Sequence, residues 1–296
     1  MAIAFKPLHP LFFGEASGID LSQPLSAAQV KEIVAGMDKY AVLVFRGQKL
    51  SEDQQIAYAR QFGPLDLGLR KMKKGQPHRF KYDELADISN VQVDGQVAAR
   101  DHAKIVNNIA NQLWHSDSSF QKPAARYSML HSVVIPDKGG ETEFADLRAA
   151  YDALPSDMKA EIANLEAEHY VLHSRFMLGD TGYTEAQKKS IPPAVWPLVR
   201  THAGSKRKLL WVGIHASKIL GMTLPEGRML LMDLLEHATQ REFVYTHKWR
   251  LGDLVMWDNR QTMHRARPFP AHEPRDMRRT TLAGDGPTAA QVAQAA

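Results

Sequence analysis

Phe243-Val-Tyr-Thr-His-Lys-Trp249, the short link Arg250-Leu-Gly, and Asp253-Leu-Val-Met-Trp257-Asp-Asn259 form two runs rich in β-branched and aromatic residues, separated by three residues. A link of that length cannot hold the crossover helix that successive strands of a parallel sheet require. Working outward, residues 127–135, 198–202, 208–215 and 278–282 carry the same signal, and Ala41-Val-Leu-Val-Phe45 reads as a short buried strand ended by Arg46-Gly47. Many strands without regular intervening helices predict a mainly β chain, an antiparallel sandwich or jelly roll.

Helices are predicted as coverings. Ser26 with Gln29 and Ser51 with Gln54 have capping-box spacing, so one helix starts after each serine. In the first, Val30, Ile33, Val34 and Met37 recur at helical spacing and give it a buried face. The second is expected to stop at Gly63-Pro64. Residues 146–154 and 156–165 read as two short helices separated by Pro155, and 225–237 as a longer one with proline in its first turn. No linker or repeat divides the sequence, so residues 1–283 are expected to be a single domain, with the small, polar stretch 284–296 as a flexible tail.

The composition narrows the chemistry. Of 296 residues, 44% are apolar and 24% charged, and no uncharged apolar stretch is long enough to span a bilayer. Lys6 falls where a secretory peptide would be apolar, which predicts a cytoplasmic protein. The absence of cysteine excludes disulfides, thiolate zinc sites, iron–sulfur clusters and a cysteine nucleophile, leaving His and carboxylate as metal ligands. The net charge of +4 suits a small anionic substrate. The basic run Arg70, Lys71, Lys73, Lys74, His78, Arg79 and Lys81 reads as a solvated loop, since nucleic-acid contact would need interleaved aromatics and only Phe80 and Tyr82 are close. No nucleic acid and no membrane is expected as a partner; self-association into a homo-oligomer is.

His115-Ser-Asp117 places two metal-ligand types at i and i+2 of an extended segment, on one side of the chain. With 13 His and 33 acidic residues, about one such pair arises by chance, so the motif carries little weight alone. His264, shortly after the strand that ends in Asp258-Asn259, is the best third ligand. Two His and one carboxylate leave coordination positions open, as in non-haem Fe(II) oxygenases. A zinc hydrolase could use the same ligand types, although His-Glu-x-x-His is missing. Beyond His264, Arg275, Met277 and Arg279 share one face of a strand. Two inward guanidiniums need anions, and each fork matches a carboxylate.

These residues resemble the taurine dioxygenase family of 2-oxoglutarate-dependent oxygenases. Thr142 stands 25 residues after Asp117, and Arg275 stands 11 after His264, as in the family pattern. Within the family, Leu8-His-Pro-Leu-Phe12, Val42-Leu-Val-Phe-Arg-Gly-Gln48, Asn111-Gln-Leu-Trp-His-Ser-Asp117 and Trp257-Asp-Asn-Arg260 are similar to its aryloxyacetate-cleaving branch. The resemblance covers roughly residues 7 to 283 and implies a double-stranded β-helix, a cupin-like jelly roll with helices packed outside. It also implies Fe(II) on His115, Asp117 and His264, and 2-oxoglutarate gripped by Thr142 and Arg275. O2 would be the oxidant, and Arg279 would meet the acid group of the substrate. The implied reaction hydroxylates the methylene of an aryloxyacetate such as 2,4-dichlorophenoxyacetate, giving a phenol, glyoxylate, succinate and CO2. Asn111 falls where the family has a substrate-side polar residue. His202 and His215 are further candidates for the substrate pocket, and Lys71 and Lys73 could close over the anion. The competing readings are the same chemistry on a sulfonate or another aryloxyalkanoate, and a non-catalytic cupin-like protein that binds an acid.

Overall fold

The computed structural model describes residues 2–68 and 79–284. Its major sheet has seven strands in the order β1 (Ala4–Pro7), β2 (Gly14–Ser17), β3 (Val42–Phe45), β13 (Leu254–Asp258), β5 (Tyr127–Val134), β15 (Asp276–Thr281) and β4 (Ala86–Asp87). All neighbours are antiparallel except β2 and β3. The minor sheet is β12 (Val244–His247), β6 (Thr142–Asp146) and β14 (Thr262–Ala266), antiparallel throughout. Two small sheets complete the strands: β9 (Val199–Thr201) pairs with β10 (Lys208–Leu210), and β7 (Glu166–His169) lies between β8 (Ala194–Pro197) and β11 (Ala216–Ile219).

The period-two alternation of side chains explains why the central strands read as unbroken apolar runs. Val42, Val44, Leu130, Val255, Trp257 and Met277 point inward and pack with Phe144 of the minor sheet. Leu43, Phe45, Tyr127, Met129, Leu254 and Met256 point outward onto Ile33 and Met37 of the helix Ala27–Tyr40 and Tyr58 and Ala59 of the helix Glu52–Arg60. On the far side, Ala145 and Met263 of the minor sheet join a third cluster with Leu147 and Ala150 of the helix Leu147–Ala153 and Leu231, Leu234 and Ala238 of the helix Leu224–Ala238. The result is helices, sheet, sheet, helices, the expected jelly roll with helical coverings. Both capping boxes form as expected, and Asp146 accepts the Arg148 backbone N–H at 2.9 Å to start its helix.

The two strands that open the sequence reading lie in different sheets. Between β12 and β13 the chain turns from the minor to the major sheet around Asp253, whose Oδ2 accepts from the Arg250 backbone N–H (2.8 Å) and Arg46 Nη1 (2.6 Å) and lies 3.2 Å from His247 Nε2. The strand expected over 208–215 ends at Leu210, because the Trp211 N–H turns away to Leu198 O and Gly213 adopts φ +146°. The helix after Ser51 ends at Arg60, before Gly63. The short helices Ala103–Ile109, Val171–Met177 and Glu185–Ser190 were not expected; with six or seven residues each, they carry too little periodicity to register. Except for Gly284, the expected tail lies outside the described residues, as do Lys71 and Lys73. Arg79, from the same basic run, is held by Asp87 (3.1 Å) and Asp276 (2.5 Å). Among the described residues, no helix is long and apolar enough to cross a membrane.

Two expectations concern stability. Phe144 ties the sheets together through Phe13, Trp257 and His264, with ring centroids 5.6–6.0 Å apart. Phe144→Ala should therefore cost about 3–5 kcal/mol in urea unfolding, as cavity-forming core truncations do. His169 is fully buried; burial, helped by the Arg200 guanidinium, pushes its pKa down to about 3. Above pH 6.5 this ring is neutral in both the folded and unfolded chain. Below it only the unfolded chain takes up the proton, so stability is lost by about 1.4 kcal/mol per pH unit until the folded value is reached. His169→Phe should lose about 2 kcal/mol less than the parent between pH 7 and 5; equal losses would refute this assignment.

Candidate active site

The site begins with two reciprocal backbone hydrogen bonds. His115 N donates to His264 O (3.1 Å), and His264 N donates to His115 O (2.8 Å). This single antiparallel bridge adds residue 115 to the free edge of β14, beside the three strands of the minor sheet. Directly paired residues project side chains from the same face, and the two imidazole centroids lie 4.2 Å apart. Ser116 points the other way and donates to Thr262 O (2.8 Å), which returns Asp117 to the side of the two rings. Gly213 packs over this segment: a Cβ there would sit 3.3 Å from Met263 Sδ and 3.5 Å from Trp114 O.

Asp117 is anchored from three directions. Its backbone N–H donates to Asn259 Oδ1 (3.1 Å), Ser128 Oγ donates to its Oδ2 (2.7 Å), and Arg279 Nη1 donates to its Oδ1 (2.6 Å). Asn259 is itself fixed by Trp257 Nε1 (2.9 Å) and by its own bond to Ser128 Oγ (3.0 Å). His115 Nε2 and His264 Nε2 stand 4.0 and 3.9 Å from the carboxylate oxygens, too far for hydrogen bonds. The ligand atoms of His115, Asp117 and His264 all lie within 4.8 Å of one another, and all three residues are buried. His115 Nδ1 lies 2.7 Å from Leu113 O, which assigns the proton to Nδ1 and leaves the Nε2 lone pair facing the cluster.

Protonation states match this geometry. Burial lowers the pKa of both His115 and His264, keeping each imidazole neutral. Burial alone would raise Asp117, but the Arg279 guanidinium, helped by the Ser128 hydroxyl, holds its carboxyl well below the usual carboxylate range. Two neutral nitrogens and one ionised carboxylate are the donor set of a mononuclear Fe(II) oxygenase site, so the residues fit the metal.

Arg275 is the second anchor. It is buried, and among the described residues its side-chain hydrogen bonds are two long ones, 3.4 Å each, to Ile88 O and Gly140 O. No carboxylate pairs with it among the described residues, and burial pushes its pKa down to about 10. Gly140 leaves room for it, since a Cβ there would meet Arg275 Nε at 3.3 Å. Thr142, at the start of β6, accepts a hydrogen bond from Trp249 Nε1 (3.1 Å). A cavity of about 400 Å³ lined by Pro136, Gly140, Lys248 and Trp249 reaches Arg275 but none of the three metal-ligand candidates.

The other candidates separate. His215 lies beside the cluster, 6.0 Å from His115 between ring centroids, with Nδ1 3.1 Å from Ser119 Oγ. His202 does not join it: this ring is buried between Ser205 Oγ (3.0 Å) and Asp258 Oδ2 (3.1 Å) in a structural network. Asn111 is half-buried on the helical turn Ala110–Gln112, four residues before His115. Arg279, expected at the substrate acid, is instead bonded to Asp117. Sequence reasoning missed Ser128 and Asn259 as supports of that carboxylate. A serine on the inward parity of β5, flanked in sequence by Tyr127 and Met129, was the available signal.

The chain is similar to known proteins over nearly its full length. Residues 4–281 match the family described as taurine catabolism dioxygenase TauD, TfdA family. The chain is 60% identical, over 96% of its length and 99% of the relative's, to the alpha-ketoglutarate-dependent 2,4-dichlorophenoxyacetate dioxygenase of Cupriavidus pinatubonensis. It is 36% identical to the (S)-phenoxypropionate/alpha-ketoglutarate-dioxygenase of Sphingobium herbicidovorans, with 96% of each chain covered. The crystal structure of AAD-2 in complex with Mn(II) and N-oxalylglycine superposes with a TM-score of 0.89 at 49% identity, covering 98% of this chain and 99% of that one. These likenesses embrace the barrel and its helical coverings, and the chain belongs to the TauD, TfdA family of dioxygenases, which work with Fe(II), 2-oxoglutarate (alpha-ketoglutarate) and O2.

Proposed function

We propose that the enzyme cleaves aryloxyacetates, with 2,4-dichlorophenoxyacetate or a near relative as substrate. The observation that carries this reading is the 60% identity to a 2,4-dichlorophenoxyacetate dioxygenase across nearly the whole of both chains. Replacing a hydrogen of the methylene between ether oxygen and carboxylate by hydroxyl gives a hemiacetal; this collapses to a phenol and glyoxylate. The bound iron, 2-oxoglutarate and O2 supply the oxidising power, and 2-oxoglutarate leaves as succinate and CO2.

The chain's own residues position the reactants. His115, Asp117 and His264 would hold the iron, with Leu113 O fixing the His115 tautomer and Ser128 and Asn259 keeping the carboxylate aimed. Thr142 and Arg275 would hold the distal carboxylate of 2-oxoglutarate. Because Thr142 Oγ1 already accepts from Trp249, its own proton is available to donate to that carboxylate. Arg275 presents a buried guanidinium that no carboxylate meets among the described residues, where a bidentate carboxylate offsets the cost of desolvation. His215, kept neutral by burial beside His115, and Asn111 would face the aryloxyacetate. Lack of cysteine suits a reducing cytoplasm, and a homo-oligomeric state is the expectation that light scattering would test.

Arg275→Gln should raise the KM for 2-oxoglutarate by about 10- to 100-fold while changing the aryloxyacetate KM far less. A proportional change in both would remove Arg275 from its assigned place. Ser128→Ala should weaken Fe(II) binding by about 10-fold at unchanged fold, read by metal titration, because supports of metal ligands act on that scale. Succinate release across a panel of aryloxyacetates, phenoxypropionates and alkyl sulfonates would rank the substrates. If a sulfonate led and no aryloxyacetate turned over, the substrate assignment would fail.

A further inference from the structure

A second recess, of about 240 Å³, lies where β8 and β9 pass the turn after β13. Pro123, Trp196, Arg200, His202, Leu209 and Arg260 line it, and none of His115, Asp117, His264, Thr142 or Arg275 does. The chemistry assigned so far makes no use of it.

Arg200, on β9 opposite Leu209 of β10, is the residue that needs explaining. Its Cζ lies 4.3 Å from the ring centroid of Trp196 and 4.5 Å from that of Trp211. Both indoles meet the guanidinium as a cation over a ring, which leaves its N–H groups in need of acceptors. Nη1 is buried without a hydrogen-bond partner, and among the described residues no carboxylate lies within ion-pair distance of Arg200. Burial, helped by the Arg260 charge, pushes its pKa down to about 10, and Asp258 only partly opposes this. A buried donor left unpaired costs about 1–3 kcal/mol, and more when it is charged, so an unpaired guanidinium points to an acceptor that comes from outside the chain.

The surroundings carry charge of the same sign. Asp258 Oδ2 is shared by Arg260 Nη2 (2.8 Å), Gln261 Nε2 (3.0 Å) and His202 Nε2 (3.1 Å), so this carboxylate is already committed. Lys122 Nζ stands 5.0 Å from the centroid of the Trp196 ring. Pro123 and Leu209 supply apolar wall between these groups. A cationic edge beside an apolar wall matches an anion that is itself half apolar.

We infer that this recess is a binding site, separate from the catalytic one, for a small aromatic carboxylate, with its acid group on the edge of Arg200 and its ring against Pro123 and Leu209. The guanidinium fork matches a carboxylate bidentately. A volume just under the roughly 300–1,000 Å³ of ordinary ligand pockets restricts the occupant to an acid of about one ring. The inference is independent of the substrate assigned above.

Calorimetric titration of benzoate into protein loaded with Mn(II) and N-oxalylglycine tests it. Arg200→Gln should weaken benzoate binding by about 10- to 100-fold and keep N-oxalylglycine affinity within about two-fold. Ala203→Glu, a change at an exposed position of the recess wall that leaves the packed interior alone, should weaken benzoate similarly by repulsion. Benzamide, which lacks the charge, and acetate, which lacks the ring, should each bind the parent at least about 10-fold more weakly than benzoate. Benzoate seated only at the catalytic site would bind parent and variants alike. That result, no benzoate binding by the parent, or benzamide or acetate binding as tightly as benzoate would each overturn the inference.

Discussion

Two peptide groups, those of His115 and His264, exchange hydrogen bonds, and the site depends on that exchange. It converts two histidines far apart in sequence into neighbours projecting from one face, at a spacing set by backbone rather than by side-chain rotamers. One residue to either side, the register would turn a ring to the opposite face. The rest of the barrel serves that bridge: β14 is held by β6, β6 carries Phe144 into the core, and Phe144 packs against Trp257 and the His264 ring. The metal site sits where the minor sheet stops being a sheet. There the backbone is fixed on one side and free to leave open coordination positions on the other.

Charge in the interior is arranged with economy. Asp117 is the one ionised carboxylate of the cluster, and it has a guanidinium on one oxygen and a hydroxyl on the other. Arg275 has no such partner among the described residues. A protein seldom buries a cation without an anion to meet it, so the ligands can be read from what the side chains lack. On that view an acid enters the barrel at the Arg275 guanidinium.

What the sequence disclosed, and what it did not, follows from the range of the interactions. The capping boxes at Ser26 and Ser51 close within four residues, so both helix starts were legible. Strand existence was legible too, but the sheet each strand joins is set by partners far along the chain, which is why the runs before and after Gly252 looked like neighbours and proved to lie in facing sheets. The ligand triad could be named because its residue types and spacing match a family pattern. The supports of Asp117 could not, since Ser128 and Asn259 are common residues whose role appears only when β5, β13 and the loop after His115 meet. His202 shows the opposite error, a strand-borne histidine that has a full set of partners and no vacancy for a substrate.

The pairing of β3 with β13 joins the two ends of the chain at the middle of the major sheet. Because β5 must also wait for β13 and β15, most of the sheet consists of contacts that are late to form, and such topologies fold slowly. On a ribosome, the first half of the barrel would leave the exit tunnel with its inward apolar faces uncovered. His264 and Arg275 emerge only after the other strands of the barrel, so a nascent chain that stops short of them has neither the full metal donor set nor the co-substrate anchor. The enzyme can acquire its iron only once the last strands of the barrel have been made.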